Sequence, residues 1–145
     1  MVLLISKGLE RSGFISVIGR KLQAYANSEI QFMISITFFA AILSSFMNNI
    51  GAMAMLLPIT LGICQKMNWN PSKFLIPLSF ASILGGMNTK IGTPPNIIIS
   101  EFRNDFVDKD FAFFDFAFAG VPVSILGILF IALIGWRLIL SLIHI

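Results

Sequence analysis

From Ile30 to Gln65 the chain carries no charged residue. As one helix these 36 residues would reach about 54 Å at ~1.5 Å per residue, nearly twice the ~30 Å hydrocarbon core of a bilayer. The run is too long for one crossing, and two complete crossings need roughly 40 residues plus a turn. At its centre stands "SSFMNNIGAM", with Asn48, Asn49 and Gly51 clustered where a turn belongs. A re-entrant hairpin over 29–66 fits the count. One helix dips in, the chain turns at 48–51, and a second helix returns to the same side. Non-helical backbone at such depth persists only when it is buried in protein or lines a wet cavity.

Composition points the same way. Of 145 residues, 57% are hydrophobic and 12% charged, where a soluble domain carries about a quarter charged. The apolar residues come in long blocks, so the chain is expected to be an all-α integral membrane protein in a lipid bilayer. Its 10 basic residues against 7 acidic ones are scattered among apolar segments, which fits a cytoplasmic charge bias and not nucleic-acid binding. Cys64 has no disulfide partner and reads as a small buried hydrophobe. His144 has no companion for metal or nucleophilic chemistry. No Ser/His/Asp set appears, and "GGMNTK" has the wrong glycine-to-lysine spacing for a phosphate-binding loop. Neither an enzyme nor a cofactor is expected.

The second apolar region, "FLIPLSFASILGGMNTKIGTPPNIIIS", has Lys90 as its only charge. Pro94 and Pro95 lack the N–H a helix interior needs, but they suit the first turn of a new helix, with Thr93 as its cap. A broken transmembrane helix is therefore expected over 73–102, with an unwound loop at 87–93. A loop at 103–115, carrying four acids to two bases, suits the extracytoplasmic side, and 116–137 reads as a full-length transmembrane helix. The segment 1–28 reads as an amphipathic interfacial stretch or the end of a preceding span. Lys66, Lys73 and Arg137 then fall on the cytoplasmic side, in a multi-pass arrangement in the cell (inner) membrane.

Broken membrane helices recur in secondary transporters, where half-helix N-termini attract anions and unwound carbonyls hold cations. Here Asn48 and Asn49 open the returning helix, and Thr93 and Pro94 open the second half-helix. Carbonyls of the loop, with Asn88 or Thr89, can face a small cation. The plainer alternatives are that the asparagines cap a turn, that Gly85 and Gly86 serve packing, and that the prolines make a kink. Lys90 at membrane depth points to function. It either pairs an anionic substrate or replaces a coupling cation, or else it snorkels into a water-filled vestibule.

"SFMNNIGAMAMLLPI" followed by "LSFASILGGMNTKIGTPPNIIIS" resembles the divalent anion:sodium symporter family of the ion transporter superfamily, which includes citrate, sulfate and arsenite permeases. The resemblance implies one of two inverted repeats, each with a re-entrant hairpin and a broken helix. It also implies a homodimer when full length, with elevator-type motion. The family's Ser-Asn-Thr motif falls on Asn48, Asn49 and Ile50, which implies Asn49 as a sodium and substrate ligand. Its unwound loop falls on Gly86 through Thr93, which implies carbonyl ligands for the same sodium. The sodium set is then Asn48, Asn49, Gly86, Asn88 and Thr89. The substrate set is Asn49, Ile50, Gly51, Lys90, Thr93 and Pro94, with no metal beyond sodium. The chain departs from the family at Ile50, which lacks the threonine hydroxyl, and at Lys90, where many relatives are apolar.

The expected function is sodium-coupled uptake of a small anion such as sulfate or a carboxylate, by alternating access. The alternatives are anion or metalloid efflux, cation/proton antiport, and a non-transporting membrane scaffold. Antiport usually needs an intramembrane carboxylate, and there is none between Gln31 and Ser100. A plain scaffold needs no polar breaks. With one hairpin and one broken helix, the chain is expected to need its inverted partner repeat and not to transport alone.

Overall fold

A computed structural model describes residues 28–135. The amphipathic segment expected at 1–28 lies outside these residues except for Ser28, as do the last positions of the expected final span. Among the described residues the secondary structure is entirely helical.

Helix α1, Glu29–Phe46, starts where Ser28 Oγ accepts the Gln31 N–H at 3.2 Å. Glu29 sits in its first turn, at the positive end of the helix dipole. The helix ends because Met47 and Asn48 are extended. Asn48 Oδ1 then accepts the Gly51 N–H at 2.7 Å and caps α2, Asn49–Met67. The interruption is confined to Met47 and Asn48. Asn49, Ile50 and Gly51, expected in the tip, form the first turn of α2 instead, because the Asn48 cap lets the helix start at once. The arms of 18 and 19 residues are each long and apolar enough to cross a membrane. Asn68, in the left-handed conformation at φ 55°, ends α2 with its N–H on the Cys64 and Gln65 carbonyls.

Helix α3, Ser72–Gly86, packs against both arms. A Cβ on Gly85 would stand 2.2 Å from the Ala41 carbonyl oxygen, so the α1 and α3 backbones meet directly. Small residues permit that approach where lipid offers no hydrophobic drive between helices. Phe32, Ile36, Leu56, Phe74 and Leu78 fill the shared core without exposure. At the open end of the α1–α2 pair the Phe32 and Phe74 rings lie 5.2 Å apart, and Trp69 stacks on Phe74 at 5.6 Å. Lys73 pairs with Glu29 at 3.0 Å across the same end. Both side chains are about one-third exposed, so the pair contributes at most about 1 kcal/mol.

No helix forms between Gly86 and Pro94. Helix α4, Pro94–Val107, begins with both prolines in its first turn, where the missing N–H groups leave no bond unmade. It continues past the expected end at 102, because Arg103, Asn104 and Asp105 are polar without breaking a helix. The stop comes at Asp108, in the left-handed conformation at φ 49°. The expected loop 103–115 is accordingly a shorter connector, 108–116. Helix α5, Ala117–Phe130, continues into a π-helical turn, Ile131–Gly135, giving an apolar segment of 19 residues with Ser124 its one polar side chain. It packs on α3, where Ser124 Oγ donates to the Leu84 carbonyl at 2.7 Å. Helix α4 packs against no other helix among the described residues.

Candidate functional site

The turn between α1 and α2 meets the loop 87–93 at the end of α3. Gly86 marks the contact: a Cβ there would lie 2.1 Å from Asn49 Oδ1 and 2.9 Å from the Gly92 carbonyl. Gly92 is equally constrained, since its Cβ would come 2.4 Å from the Gly86 carbonyl. The loop therefore folds back on the last turn of α3, with the Asn49 amide seated on top.

Oxygens crowd this contact. Ser44 Oγ donates toward Asn49 Oδ1 at 2.8 Å and toward the Ser82 carbonyl. One hydroxyl has one proton, so two acceptor oxygens compete for a single donor. At the next residue, Ser45 Oγ stands 2.9 Å from both the Ala41 and Gly85 carbonyls, and Asn88 Nδ2 reaches it at 3.4 Å. Clustered neutral oxygens short of protons are the ligand type a hard monovalent or divalent cation takes. Among the described residues no group of three His, Cys, Asp or Glu side chains comes together.

The loop itself is heavily bonded. Thr89 is buried; its hydroxyl donates to the Ser45 carbonyl and accepts the Gly92 N–H at 3.2 Å. Buried Asn96 donates to the Thr89 carbonyl at 2.8 Å and to the Met87 carbonyl at 3.4 Å. Asn88 Oδ1 accepts from Ser124 at 3.0 Å, which ties the loop to α5. Gly120 lies against the same amide, its Cβ position 2.6 Å from Asn88 Oδ1.

The structure brings together Asn49, Gly86, Asn88 and Thr89 of the residues singled out from sequence. Asn48 is spent on its cap to the buried Gly51. Ile50 is 76% exposed. Thr93 begins α4 with extended backbone and no side-chain cap, and Pro94 beside it is exposed. Lys90 does not join the asparagines. Its ammonium pairs with Asp110 on the connector. Sequence reasoning missed Ser44, Ser45, Ser82, Asn96 and Ser124. The available signal was a set of small polar residues within apolar helices, two of them directly before the turn.

A cavity of about 280 Å³ lies beside this contact, between α1, α5 and the loop. Ser45, Asn88, Thr89 and Ser124 line one wall, and Phe38 and Phe114 are among the apolar residues lining the rest. Neither Asn49 nor Gly86 borders it.

Apolar helices of spanning length around a polar, unwound centre describe a membrane transport protein. Residues 1–143 match the citrate transporter family, and the chain belongs to that family. It is 34% identical over 138 residues to the uncharacterized transporter YfbS of Escherichia coli, covering 93% of this chain and 22% of that protein. It is 32% identical over 131 residues to the uncharacterized transporter sll0640 of Synechocystis, covering 90% of this chain and 21% of the relative. With the probable sodium/sulfate cotransporter 3 of Chlamydomonas reinhardtii it shares 29% identity over 136 residues, covering 89% of this chain and 15% of the relative. The chain thus spans less than a quarter of the length of these relatives. No solved structure matches it.

Proposed function

We propose that this chain is one inverted-repeat half of a secondary transporter that couples sodium to the uptake of a small anion, such as sulfate or a carboxylate, by alternating access. The observation that carries the reading is the contact of Asn49 with Gly86, where Asn49 Oδ1 and the Ser82 carbonyl compete for the one proton on Ser44 Oγ. A sodium ion accepts oxygen donation from such a group without demanding protons. In this reading Asn49 and Gly86 hold the ion, with Asn88 and Thr89 shaping the loop beside it and Asn48 fixing the turn.

The anion takes the helix N-termini at Asn49–Gly51 and Thr93–Pro94, where the positive end of the helix dipole favours negative charge. Ile50, exposed in this chain, then faces the second repeat of a full-length homodimer in the cell membrane. The α1–α2 pair is re-entrant in this reading, its turn held at depth by protein on the α3 side. The name of the Chlamydomonas relative, probable sodium/sulfate cotransporter 3, supports the choice of ion and anion class. The role is that of a transporter, with binding and movement in place of covalent chemistry.

The test is uptake of labelled sulfate, phosphate and carboxylates by cells producing the full-length protein, with and without sodium. Sodium-dependent accumulation of one of them, lost in Asn49→Ala while the protein stays in the membrane, is the expected result. Uptake that ignores both sodium and Asn49→Ala overturns the reading.

A further inference from the structure

Asp110 stands where three segments meet. One of its carboxylate oxygens takes the Lys90 ammonium from the loop after α3. The other accepts the Ser100 hydroxyl from α4 and the Phe111 N–H of the connector, the latter at 2.8 Å. A second strand of contacts runs beside it. The Lys90 N–H donates to the Phe113 carbonyl at 3.0 Å, and the Arg103 guanidinium lies 4.1 Å over the Phe111 ring. Helix α4 packs against no other described helix, and at its start the Asn96 amide holds the Thr89 and Met87 carbonyls. Asp110 thus adds to the Asn96 and Ser124 contacts a link that joins the loop, the second turn of α4 and the connector at one carboxylate.

We propose that Asp110 and Lys90 form a latch that makes the loop 87–93, α4 and the connector move as one body, so that Lys90 is a positioning residue and not a ligand of the transported anion. The lysine charge is already matched, and the match is geometric as well as electrostatic: Ser100 and the Phe111 N–H hold the carboxylate in place. An anion arriving at the Pro94 helix end would meet the Asp110 carboxylate beside the ammonium, a like charge that opposes its binding there. A latch of this kind carries any shift of the loop at an ion site directly into α4. This inference rests on the transport reading for its consequence, but not for its test.

Hydrogen exchange on the full-length protein in detergent reads the latch without transport. Asp110→Asn and Lys90→Met each raise exchange about threefold to fivefold in both 87–93 and 108–113, and the double variant adds little to either. Lys90→Arg stays close to the unaltered protein. Exchange in 87–93 that is unchanged by Asp110→Asn overturns the latch. In uptake assays Lys90→Met lowers the maximal rate while KM for the anion stays within about twofold. A large rise in KM in Lys90→Met but not in Asp110→Asn assigns Lys90 to the anion and overturns the positioning role. If the unaltered protein takes up none of the anions offered, the transport reading fails and the exchange result still decides the latch.

Discussion

Asn49 Oδ1 occupies the space that a Cβ on Gly86 would need, 2.1 Å from its ideal position. The two residues lie on different helices, and neither has room for a larger partner. The obstacle on the Asn49 side is the end of a side chain, whereas the second obstacle, the Gly92 carbonyl at 2.9 Å, is backbone. Gly86→Ala therefore costs about 1–3 kcal/mol, as overpacking does. Pairing it with Asn49→Ser removes part of the clash, so the double variant should be more stable than the two separate losses predict. Thermal unfolding of the four proteins in detergent checks this.

Glycines along the helices separate by what lies opposite them. Gly85 faces the Ala41 backbone at 2.2 Å, which cannot move without parting α1 from α3, while Gly62 faces nothing within 4 Å. Gly85→Ala is expected to destabilise more than Gly86→Ala. Gly62→Ala should be neutral or stabilising by up to about 1 kcal/mol, because alanine favours a helix interior over glycine. The order Gly85, Gly86, Gly62 in melting temperature is the measurement. Equal losses at all three would mean that close approach is not what fixes these positions.

Asn96 holds the loop from the α4 side by giving its amide protons to the Thr89 and Met87 carbonyls. Asn96→Asp keeps the shape but replaces donors by acceptors, so two carbonyls lose partners and face a carboxylate. The expected cost is about 1–3 kcal/mol for the buried unpaired group. In the transport reading, ion affinity falls with it. Sodium titration of uptake, together with exchange of 87–93, checks both effects. An Asn96→Asp protein with unaltered protection in the loop would remove Asn96 from this role.

The two interruptions were legible because each sets polar, glycine or proline residues inside an apolar run, where only a break satisfies the chemistry. The residues that join them were not. Thr37 and Thr60 spend their hydroxyls on the carbonyls of Met33 and Leu56 in their own helices, as membrane hydroxyls commonly do. Ser44 and Ser124 instead reach Ser82 and Leu84 on another helix. The local sequence around all four is alike, and only packing tells them apart. Asp110 was hidden for a similar reason. It is one acid among several in a charged stretch, and its partners, Lys90 and Ser100, come from separate segments. The end of α4 was misplaced because a run of charges resembles a loop, while the true stop depends on a left-handed residue at Asp108.

Acid should loosen the same region. The Lys90 ammonium, and after it the Ser100 hydroxyl, hold the Asp110 carboxyl below its usual value, with the Phe111 N–H adding to them. Arg103 stacks on Phe111, and Asp108 and Lys109 adjoin on the connector. A carboxyl lowered in the folded state contributes stability above its unfolded pKa, ordinarily near ~4. That contribution fades as pH falls from there through the lowered value. Protection factors of 87–93 and 108–113, corrected for intrinsic exchange, should be level between about pH 7 and pH 5 and fall below about pH 4. The Asp110→Asn protein should show low protection at every pH, with no acid-dependent step of its own. A step of equal size in Asp110→Asn would place the titrating group elsewhere, and no step in the unaltered protein would mean that the carboxylate does not hold these segments together.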